Sequence, residues 1–305
     1  MNVLQSQKIP VFLYEKLLKQ YNNELTNEII SGYIKKKTTI RINSLKTDIN
    51  SVMQELNNNK ITYQTIPWFE NALVLDGCLE KQLEELRIYK EGYIYLQNLS
   101  SMIPPLVLNP QANEIILDMA SAPGSKTTQL ATLSNNKALI TACEKNKNRA
   151  ERLKYNIEKQ GAKKINVLVK DSKTLDDYLK FEKILLDAPC SGSGTIDLNN
   201  PKLSEIFTED LIMRSAKTQL ALLKKATNLL SSKGEIIYST CSILKEENED
   251  IINEILKDES IELVSLSEDM FKDIPLLPVS IKGTICIKPT AYYEGFFIAK
   301  LKKKK

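Results

Sequence analysis

One carboxylate and two cysteines occur in loops that directly follow apolar, strand-like runs. Asp187 and Cys190 lie three positions apart, and Cys241 follows a second apolar run further along the chain. Pro189 lies between Asp187 and Cys190, and its fixed φ restricts the geometry that relates them. An ordinary Gly/Ser turn after a strand has a similar sequence. Ligands of open α/β sheets bind at the carboxyl ends of strands, so these loops are where we expect chemistry.

The absence of histidine limits the catalytic mechanisms that this chain can use. The chain contains no histidine among its 305 residues, which excludes Ser-His-Asp catalysis, Cys-His catalysis and histidine-ligated metal sites. General acid–base catalysis would therefore have to use carboxylates, lysines, thiols or tyrosines. The five cysteines are scattered without a CxxC pair, so we expect reduced thiols and no metal site.

The composition is that of a globular protein with a substantial core. Hydrophobic residues make up 42% of the chain and charged residues 26%. No apolar run approaches the roughly 20 residues that span a bilayer, and residues 1–10 have no signal pattern. We therefore expect a cytoplasmic protein with no membrane contact. The net charge of +4 does not by itself indicate a nucleic-acid partner, although Lys35–Lys37, Lys145–Lys154 and Lys302–Lys305 form basic clusters.

Alternating strands and helices after residue 114 predict the fold class. Apolar runs at 115–119, 138–144, 165–169, 183–186 and 235–238 are typical of buried strands, with helical patterns at 127–133, 147–160 and 209–231 between them. This order predicts an α/β protein with a doubly wound, mostly parallel sheet. We place this domain at residues 93–305, after a small N-terminal α+β domain at residues 1–92.

The small domain carries side chains that are suited to phosphate contacts. Arg41 and Asn43 lie on a β-branched strand, and Lys36 and Lys37 precede it. Side chains of these types contact phosphate oxygens. Trp68 is a candidate for stacking on a base, although a single tryptophan is more often a packing residue.

A small-residue turn after the first strand of the larger domain predicts a nucleotide site. Gly124 lies in this turn before a helix, but the sequence has neither a P-loop nor GxGxxG. Glu144 ends the next strand, about twenty residues on, where an acid can accept ribose hydroxyls. These features favour S-adenosylmethionine (AdoMet) over NAD or ATP. The candidate cofactor residues are Ala120, Ser121, Ala122, Pro123, Gly124, Ser125, Lys126, Glu144, Arg149, Asp171 and Asp187.

Three segments together resemble a known family. The segments Asp118–Thr127, Asp187–Gly194 and Tyr238–Ser242 occur in the order found in the Sun/NOP (RsmB-like) family of RNA cytosine-5 methyltransferases. The likeness extends from about residue 93 to residue 300, and the strand around Arg41 is similar to the family's small RNA-binding domain. This similarity implies that the side chains of Arg41, Asn43, Lys36 and Lys37 contact RNA. The resemblance implies a Rossmann-like methyltransferase sheet, AdoMet as cofactor and a structured rRNA or tRNA as partner. We expect the protein to be a monomer.

The resemblance also implies a role for each cysteine. Cys241 would be the nucleophile that adds to carbon 6 of cytosine, and Cys190 would assist the final elimination. A free thiol has a pKa of about 8.5, so a nearby cation would favour the thiolate, and Lys126 is the candidate. Asp187 can face ring nitrogen 3 and stabilise the addition electrostatically.

Departures from the family pattern leave alternatives open. Ser121 and Ser125 replace an Ala and a Gly of the usual turn, and residues 196–201 lack the arginines that many members carry. A DNA cytosine-5 methyltransferase would place its nucleophile in the Pro-Cys loop, which the cysteine at position 241 argues against. An AdoMet-dependent base methyltransferase of other specificity would need no thiol, and a non-catalytic RNA-binding assembly factor would need neither thiol nor carboxylate.

Overall fold

The computed structural model describes residues 9–200 and 202–304, which form two sheets flanked by helices. The smaller sheet has the order β2-β3-β1-β4, and each pair of neighbours is antiparallel. The elements of this part are α1 (Val11–Gln20), α2 (Asn23–Ser31), β1 (Thr39–Ile42), α3 (Ile49–Asn58), β2 (Thr62–Thr65), β3 (Ala72–Asp76), α4 (Glu80–Glu84), α5 (Arg87–Lys90) and β4 (Ile94–Leu96).

The larger sheet confirms the predicted doubly wound, mostly parallel architecture. Its order is β11-β12-β13-β9-β8-β5-β6-β7, with β10 paired to β13. The five strands from β7 to β9 are mutually parallel, and the remaining pairings are antiparallel. The elements are α6 (Leu99–Leu108), β5 (Ile115–Asp118), α7 (Ser125–Leu133), β6 (Leu139–Cys143), α8 (Lys147–Lys159), β7 (Ile165–Leu168), β8 (Phe181–Asp187), α9 (Leu203–Ile206), α10 (Glu209–Leu229), β9 (Leu230–Thr240), α11 (Glu249–Ile255), β10 (Ile261–Val264), β11 (Leu276–Leu277), β12 (Ile285–Ile287) and β13 (Phe296–Lys303).

Helix caps explain why the main helices begin where they do. The side chains of Asp48, Asn146 and Thr208 accept hydrogen bonds from backbone N–H groups in the first turns of α3, α8 and α10. Gly161 follows α8 with φ of 64°, the conformation that glycine adopts without strain after a helix. The buried side chains of α3 pack with the small sheet, whereas those of α8 and α10 pack with strands of the larger sheet.

Helix α6 was not predicted, because Pro104 and Pro105 lie inside it. A proline has no backbone N–H, so it leaves the carbonyl one turn earlier without its usual helical donor. In this helix, the side chain of Gln97 donates to the carbonyl of Ser101 at 3.0 Å and supplies that bond. The side chain of Asn98 caps the first turn through the N–H of Ser100. The Gln97 side chain, which lies outside the helix, therefore replaces the hydrogen bond that Pro105 cannot donate.

The predicted RNA contacts of Arg41 and Asn43 are corrected by the structure, which buries both side chains completely. The Arg41 guanidinium donates to Gln97 Oε1 at 2.7 Å and to the carbonyl of Ser125 at 2.6 Å. The Asn43 amide donates to the carbonyl of Gln160 at 2.8 Å. These bonds join the small sheet to the larger domain, so neither side chain is available to phosphate.

The small sheet also extends past the boundary expected after residue 92. Strand β4 pairs with β1, with Tyr95 opposite Arg41, and so belongs to the small sheet. Trp68 is partly buried, stacks near Phe69 and donates its N–H to the hydroxyl of Tyr293 at 2.9 Å, which is a packing role. Among the described residues, no helix is both long and apolar enough to cross a membrane.

Candidate active site

The larger sheet has its topological switch point between β5 and β8, and a cavity lies at the carboxyl ends of these strands. Parallel strands on either side of such a point lead their following helices to opposite faces, which leaves a crevice for a ligand. The cavity has a volume of about 280 Å³. Among the predicted site residues, its lining includes Ala120, Ala122, Glu144, Arg149, Asp171, Asp187, Cys190 and Cys241.

Glu144 provides a buried carboxylate at the end of β6. Its Oε1 accepts the backbone N–H of Asn146 at 2.8 Å, and its Oε2 lies 3.5 Å from Arg149 Nη1. Arg149 also donates to the carbonyl of Ala122 at 2.9 Å, which ties α8 to the turn after β5. A carboxylate accepts hydrogen bonds only, so this end of the cavity suits a ligand with hydroxyl donors.

Asp171 follows β7 on the same edge of the sheet. Its side chain accepts the N–H of Lys173 at 3.0 Å, while the hydroxyl of Ser172 donates to the carbonyl of Met119 at 2.9 Å. All four of these residues line the cavity. The second predicted acid therefore lies beside the turn after β5, as the parallel strand order requires.

The turn after β5 contributes Ala120 and Ala122 to the cavity lining. Ser121, Pro123, Gly124 and Ser125 are absent from the lining, although they were predicted to bind the cofactor. The hydroxyl of Ser121 donates to the carbonyl of Asp118 at 2.8 Å. Gly124 has φ of 110°, a conformation that L side chains rarely adopt. These residues hold the turn in place and begin α7.

Lys126 and Asp187 form a largely buried ion pair with 2.7 Å between Nζ and Oδ2. Lys126 Nζ also donates to Ser101 Oγ at 2.6 Å and lies 5.5 Å from the ring centre of Phe296. The hydroxyl of Ser239 donates to Asp187 Oδ1 at 2.9 Å. The lysine is therefore held against the carboxylate, so Asp187 faces the cavity with a compensating charge beside it.

Asp118 is a second carboxylate beneath this pair and is only 1% exposed. Burial raises the pKa of Asp118 to about 6, with a smaller contribution from Asp187, and the hydrogen bond from Thr127 opposes the increase. The Thr127 hydroxyl donates to Asp118 Oδ2 at 2.6 Å. The end of β5 thus carries a carboxyl group that is easier to protonate than an exposed one.

The two predicted catalytic thiols lie side by side, with 2.8 Å between the sulfur atoms of Cys190 and Cys241. The contact with Cys241, followed by burial, raises the pKa of the Cys190 thiol well above its ordinary value. Gly194 donates its N–H to the carbonyl of Cys241 at 2.9 Å, and its own carbonyl accepts the N–H of Gly295 at 2.8 Å. The Pro-Cys loop and the end of β9 therefore form one hydrogen-bonded unit.

The predicted RNA-binding lysines lie outside the cavity lining. Lys36 is half-buried and donates to the carbonyl of Gly32 at 2.6 Å, and burial lowers its pKa to about 8. Lys37 forms an ion pair with Asp76 at 2.6 Å. Their contact with RNA stays a prediction.

Several cavity residues were missed by the sequence reasoning. Thr218 and Leu222 lie one turn apart on α10 and cover the cavity from the side, and no motif marks them. Lys145 and Lys170 follow the ends of β6 and β7, so their positions beside the predicted acids were a usable signal. Within residues 9–200 and 202–304, no group of three or more Cys, Asp or Glu side chains could hold a metal ion.

The donor set fits the predicted cofactor. Acidic groups at the ends of β6 and β7 suit ribose and adenine donors, and Met119, Ala188 and Leu222 provide apolar walls. The thiol pair and Asp187 border the same cavity, so a base and a cofactor could meet there. The geometry therefore supports nucleophilic chemistry by a thiol beside a carboxylate that carries its own counter-ion.

Comparison with known proteins identifies the family. The profile described as 16S rRNA methyltransferase RsmB/F matches residues 105–302, and one described as an RsmF/B-like ferredoxin-like domain matches residues 9–80. Ribosomal RNA small subunit methyltransferase F of Shewanella piezotolerans is 34% identical over 281 residues, with 88% of this chain and 58% of that protein covered. The corresponding protein of Shewanella sediminis is 36% identical, with 88% and 57% covered. The chain spans little more than half the length of these curated relatives.

Solved structures agree with this result. A methyltransferase homolog protein from Pyrococcus horikoshii has a TM-score of 0.81 and 29% identity, with 97% of this chain and 100% of that chain covered. NSun6 from Pyrococcus horikoshii with SFG has a TM-score of 0.87 and 26% identity, with 97% and 98% covered.

The fold and the cavity define a Rossmann-like methyltransferase domain with a small N-terminal ferredoxin-like domain. The chain belongs to the family described as 16S rRNA methyltransferase RsmB/F, which confirms the resemblance found in the sequence. Methyltransferases of this type use AdoMet, the cofactor expected from the sequence.

Proposed function

We propose that the protein is an AdoMet-dependent RNA (cytosine-5)-methyltransferase that acts on structured RNA, with small-subunit rRNA as the first candidate substrate. The observation that carries this proposal is the pair of thiols, Cys190 and Cys241, 2.8 Å apart at the border of the cofactor cavity. Methylation of a base nitrogen needs no thiol, whereas carbon 5 of cytosine must first be activated. The names of the relatives, which refer to small-subunit ribosomal RNA, support the choice of substrate.

AdoMet would be held by Glu144, Asp171 and the backbone of the turn after β5, and it supplies an electrophilic methyl group when bound. Cys241 Sγ adds to carbon 6 of the cytosine, which forms a carbon–sulfur bond and makes carbon 5 nucleophilic. After carbon 5 has been methylated, loss of its proton lets the carbon–sulfur bond break and restores the aromatic ring. Cys241 is thus the nucleophile of the addition and the leaving group of the elimination, whereas carbon 5 of the base is the nucleophile of the methyl transfer.

Asp187 and Lys126 prepare the base for this addition. Electron density moves onto the pyrimidine ring as the thiolate adds. The proton that the Cys241 thiol gives up is shared between Asp187 and ring nitrogen 3, and this proton stabilises the added density. Asp187 borders the cavity, and its ion pair with Lys126 fixes its orientation. Cys190 lies beside Cys241 and is assigned to the elimination that releases the product. The target base must be unpaired or flipped to reach these groups.

The experiment is transfer of labelled methyl groups from AdoMet to total RNA, followed by bisulfite mapping of the labelled fraction. We expect 5-methylcytosine at a defined position, and labelled RNA without 5-methylcytosine would refute the proposed specificity.

The two thiols can be separated in the same assay. Cys190→Ala should accumulate a covalent protein–RNA adduct, because the addition proceeds while the elimination is slowed. Cys241→Ala should form no adduct and transfer no methyl groups. Cys78→Ala, which changes a buried thiol of the small domain, is the matched control. An adduct that requires Cys190 instead of Cys241 would reverse the two roles.

A further inference from the structure

Glu247 is a buried carboxylate that contacts the loop of each cysteine. Its side chain is 0% exposed. Oε1 accepts the backbone N–H of Ser191 at 2.7 Å, and Oε2 accepts the hydroxyls of Ser191 at 2.5 Å and Ser242 at 2.6 Å. Ser191 directly follows Cys190, and Ser242 directly follows Cys241. One carboxylate therefore joins the two residues that come after the two thiols.

Gln219 extends this contact to the other side of Cys190. Its side-chain amide donates to Glu247 Oε1 at 3.1 Å and to the carbonyl of Pro189 at 3.0 Å. The residues before and after Cys190 are thus both tied to the same carboxylate, one directly and one through Gln219. The backbone around Cys190 has little freedom to move away from Cys241.

The choice of an acid at this position requires an explanation, because a buried charge is costly without compensation. The four hydrogen bonds to Glu247 come from neutral donors. A carboxylate accepts at several lone pairs and never donates, so it can hold four donors at once. A neutral amide would turn two of its hydrogens towards groups that now donate, which would loosen the connection between the loops.

We propose that Glu247 is a positioning residue that fixes the two thiols relative to each other through Ser191 and Ser242. This inference rests on the proposed function, because addition by one thiol and elimination assisted by the other require both sulfurs at one base. A displacement of about 1 Å can reduce a rate by about 100-fold, so a connection of this kind matters for catalysis without touching the substrate.

The first test measures the thiol geometry without RNA or AdoMet. Oxidised glutathione accepts two electrons from the two thiols. One thiolate displaces a glutathione to form a mixed disulfide, and the second thiol then closes the Cys190–Cys241 disulfide and releases the other glutathione. We expect Glu247→Met to slow the closure at least tenfold, with Glu247→Gln between Glu247→Met and wild type. Peptide mapping by mass spectrometry follows both species.

Glu249→Met is the matched control, because Glu249 is also buried but contacts backbone near Ser280 instead of the cysteine loops. The double variant Ser191→Ala with Ser242→Ala removes the two hydroxyl donors and leaves the carboxylate in place. If Glu247→Met does not fold, the rate of disulfide closure is measured in this double variant instead. Closure rates within twofold of wild type in folded variants would overturn the inference.

The second test measures catalysis. Because Glu247 does not line the cofactor cavity, Glu247→Gln should lower kcat at least tenfold while the KM for AdoMet stays within twofold. A lower melting temperature with unchanged kcat would show a merely structural role and overturn the inference. Slow disulfide closure in a protein that methylates no RNA would instead refute the proposed function and leave the positioning role of Glu247 standing.

Discussion

Replacement of Arg41 by methionine tests whether this arginine holds the two domains together or contacts RNA. Its guanidinium donates four hydrogen bonds, to Gln97 Oε1, the carbonyl of Ser125, Gln129 Oε1 and Thr128 Oγ1, at 2.6 to 3.3 Å. Methionine has a similar length and removes all four donors. The substitution leaves Gln97 Oε1 without its donor, whereas the carbonyl of Ser125 keeps the Thr128 hydroxyl and Gln129 Oε1 keeps the Gln97 amide. Most of the packed volume stays filled.

The expected loss of stability follows from these contacts. Hydrogen bonds that involve a charged group contribute about 1.5–3 kcal/mol each, but they are not additive when they share one donor group. Removal of the buried charge also recovers part of its desolvation penalty. We expect the free energy of unfolding to fall by about 3–5 kcal/mol, which corresponds to a decrease in melting temperature of roughly 6–15 °C.

Urea unfolding followed by the fluorescence of the single tryptophan measures this loss. Trp68 reports on the same interface, because its N–H donates to the hydroxyl of Tyr293 in the larger domain. Arg87→Met is the matched control: Arg87 is exposed, so its replacement should change the unfolding free energy by less than about 0.5 kcal/mol. The reasoning is refuted if Arg41→Met unfolds like wild type but binds RNA more weakly with a smaller salt dependence, the signature of a lost phosphate contact.

Three further predictions concern the site. Asp118→Asn should stabilise the protein by about 2.5 kcal/mol more at pH 8 than at pH 4, measured by urea unfolding. The sign follows because the pKa rises from 3.8 to about 6, so the penalty for ionising the buried carboxyl is absent below pH 3.8 and complete above about pH 6. Lys126→Met should slow single-turnover methyl transfer about 100-fold, because Asp187 loses its counter-ion. Gly194→Ala should destabilise the protein by about 1–3 kcal/mol, because its Cβ would lie 2.0 Å from the carbonyl oxygen of Gly295.

Each of these predictions has an outcome that contradicts it. If the effect of Asp118→Asn on stability does not change with pH, the pKa of the wild-type carboxyl is not raised by burial. Unchanged single-turnover rates in Lys126→Met would remove the lysine from the mechanism. For Gly194→Ala, a loss below about 0.5 kcal/mol would exclude crowding as a cause of instability.

The sequence was sufficient to predict the central parallel strands and the edge where their loops meet. Buried parallel strands are rich in apolar residues, so the runs at residues 115–117 and 184–186 stand out from the amphipathic helices between them. Because the strands are parallel, residues that follow their ends share one edge of the sheet. This rule brought Glu144, Asp171 and Asp187 to one cavity without any knowledge of the loops.

Contacts between distant segments could not be predicted in the same way. Arg41 lies on a strand with alternating residue types, and nothing local shows that α7 covers this face of the strand. Helix α6 contains two prolines, and its stability depends on Gln97, whose contribution is visible only in three dimensions. The role of Glu247 depends on the approach of two loops more than fifty residues apart in sequence. Local patterns determine elements, whereas these features are determined by packing between elements.

The backbone contact between Gly194 and Gly295 sets an order of assembly. Gly295 directly precedes β13, which pairs with β9 along Phe297–Lys302. Both cysteine loops precede this strand in the sequence, so they are synthesised before their support exists. The thiol pair can therefore adopt its final arrangement only after β13 has inserted between β9 and β12. During synthesis, catalytic competence is therefore expected only after β13, close to the end of this sequence, has paired with β9.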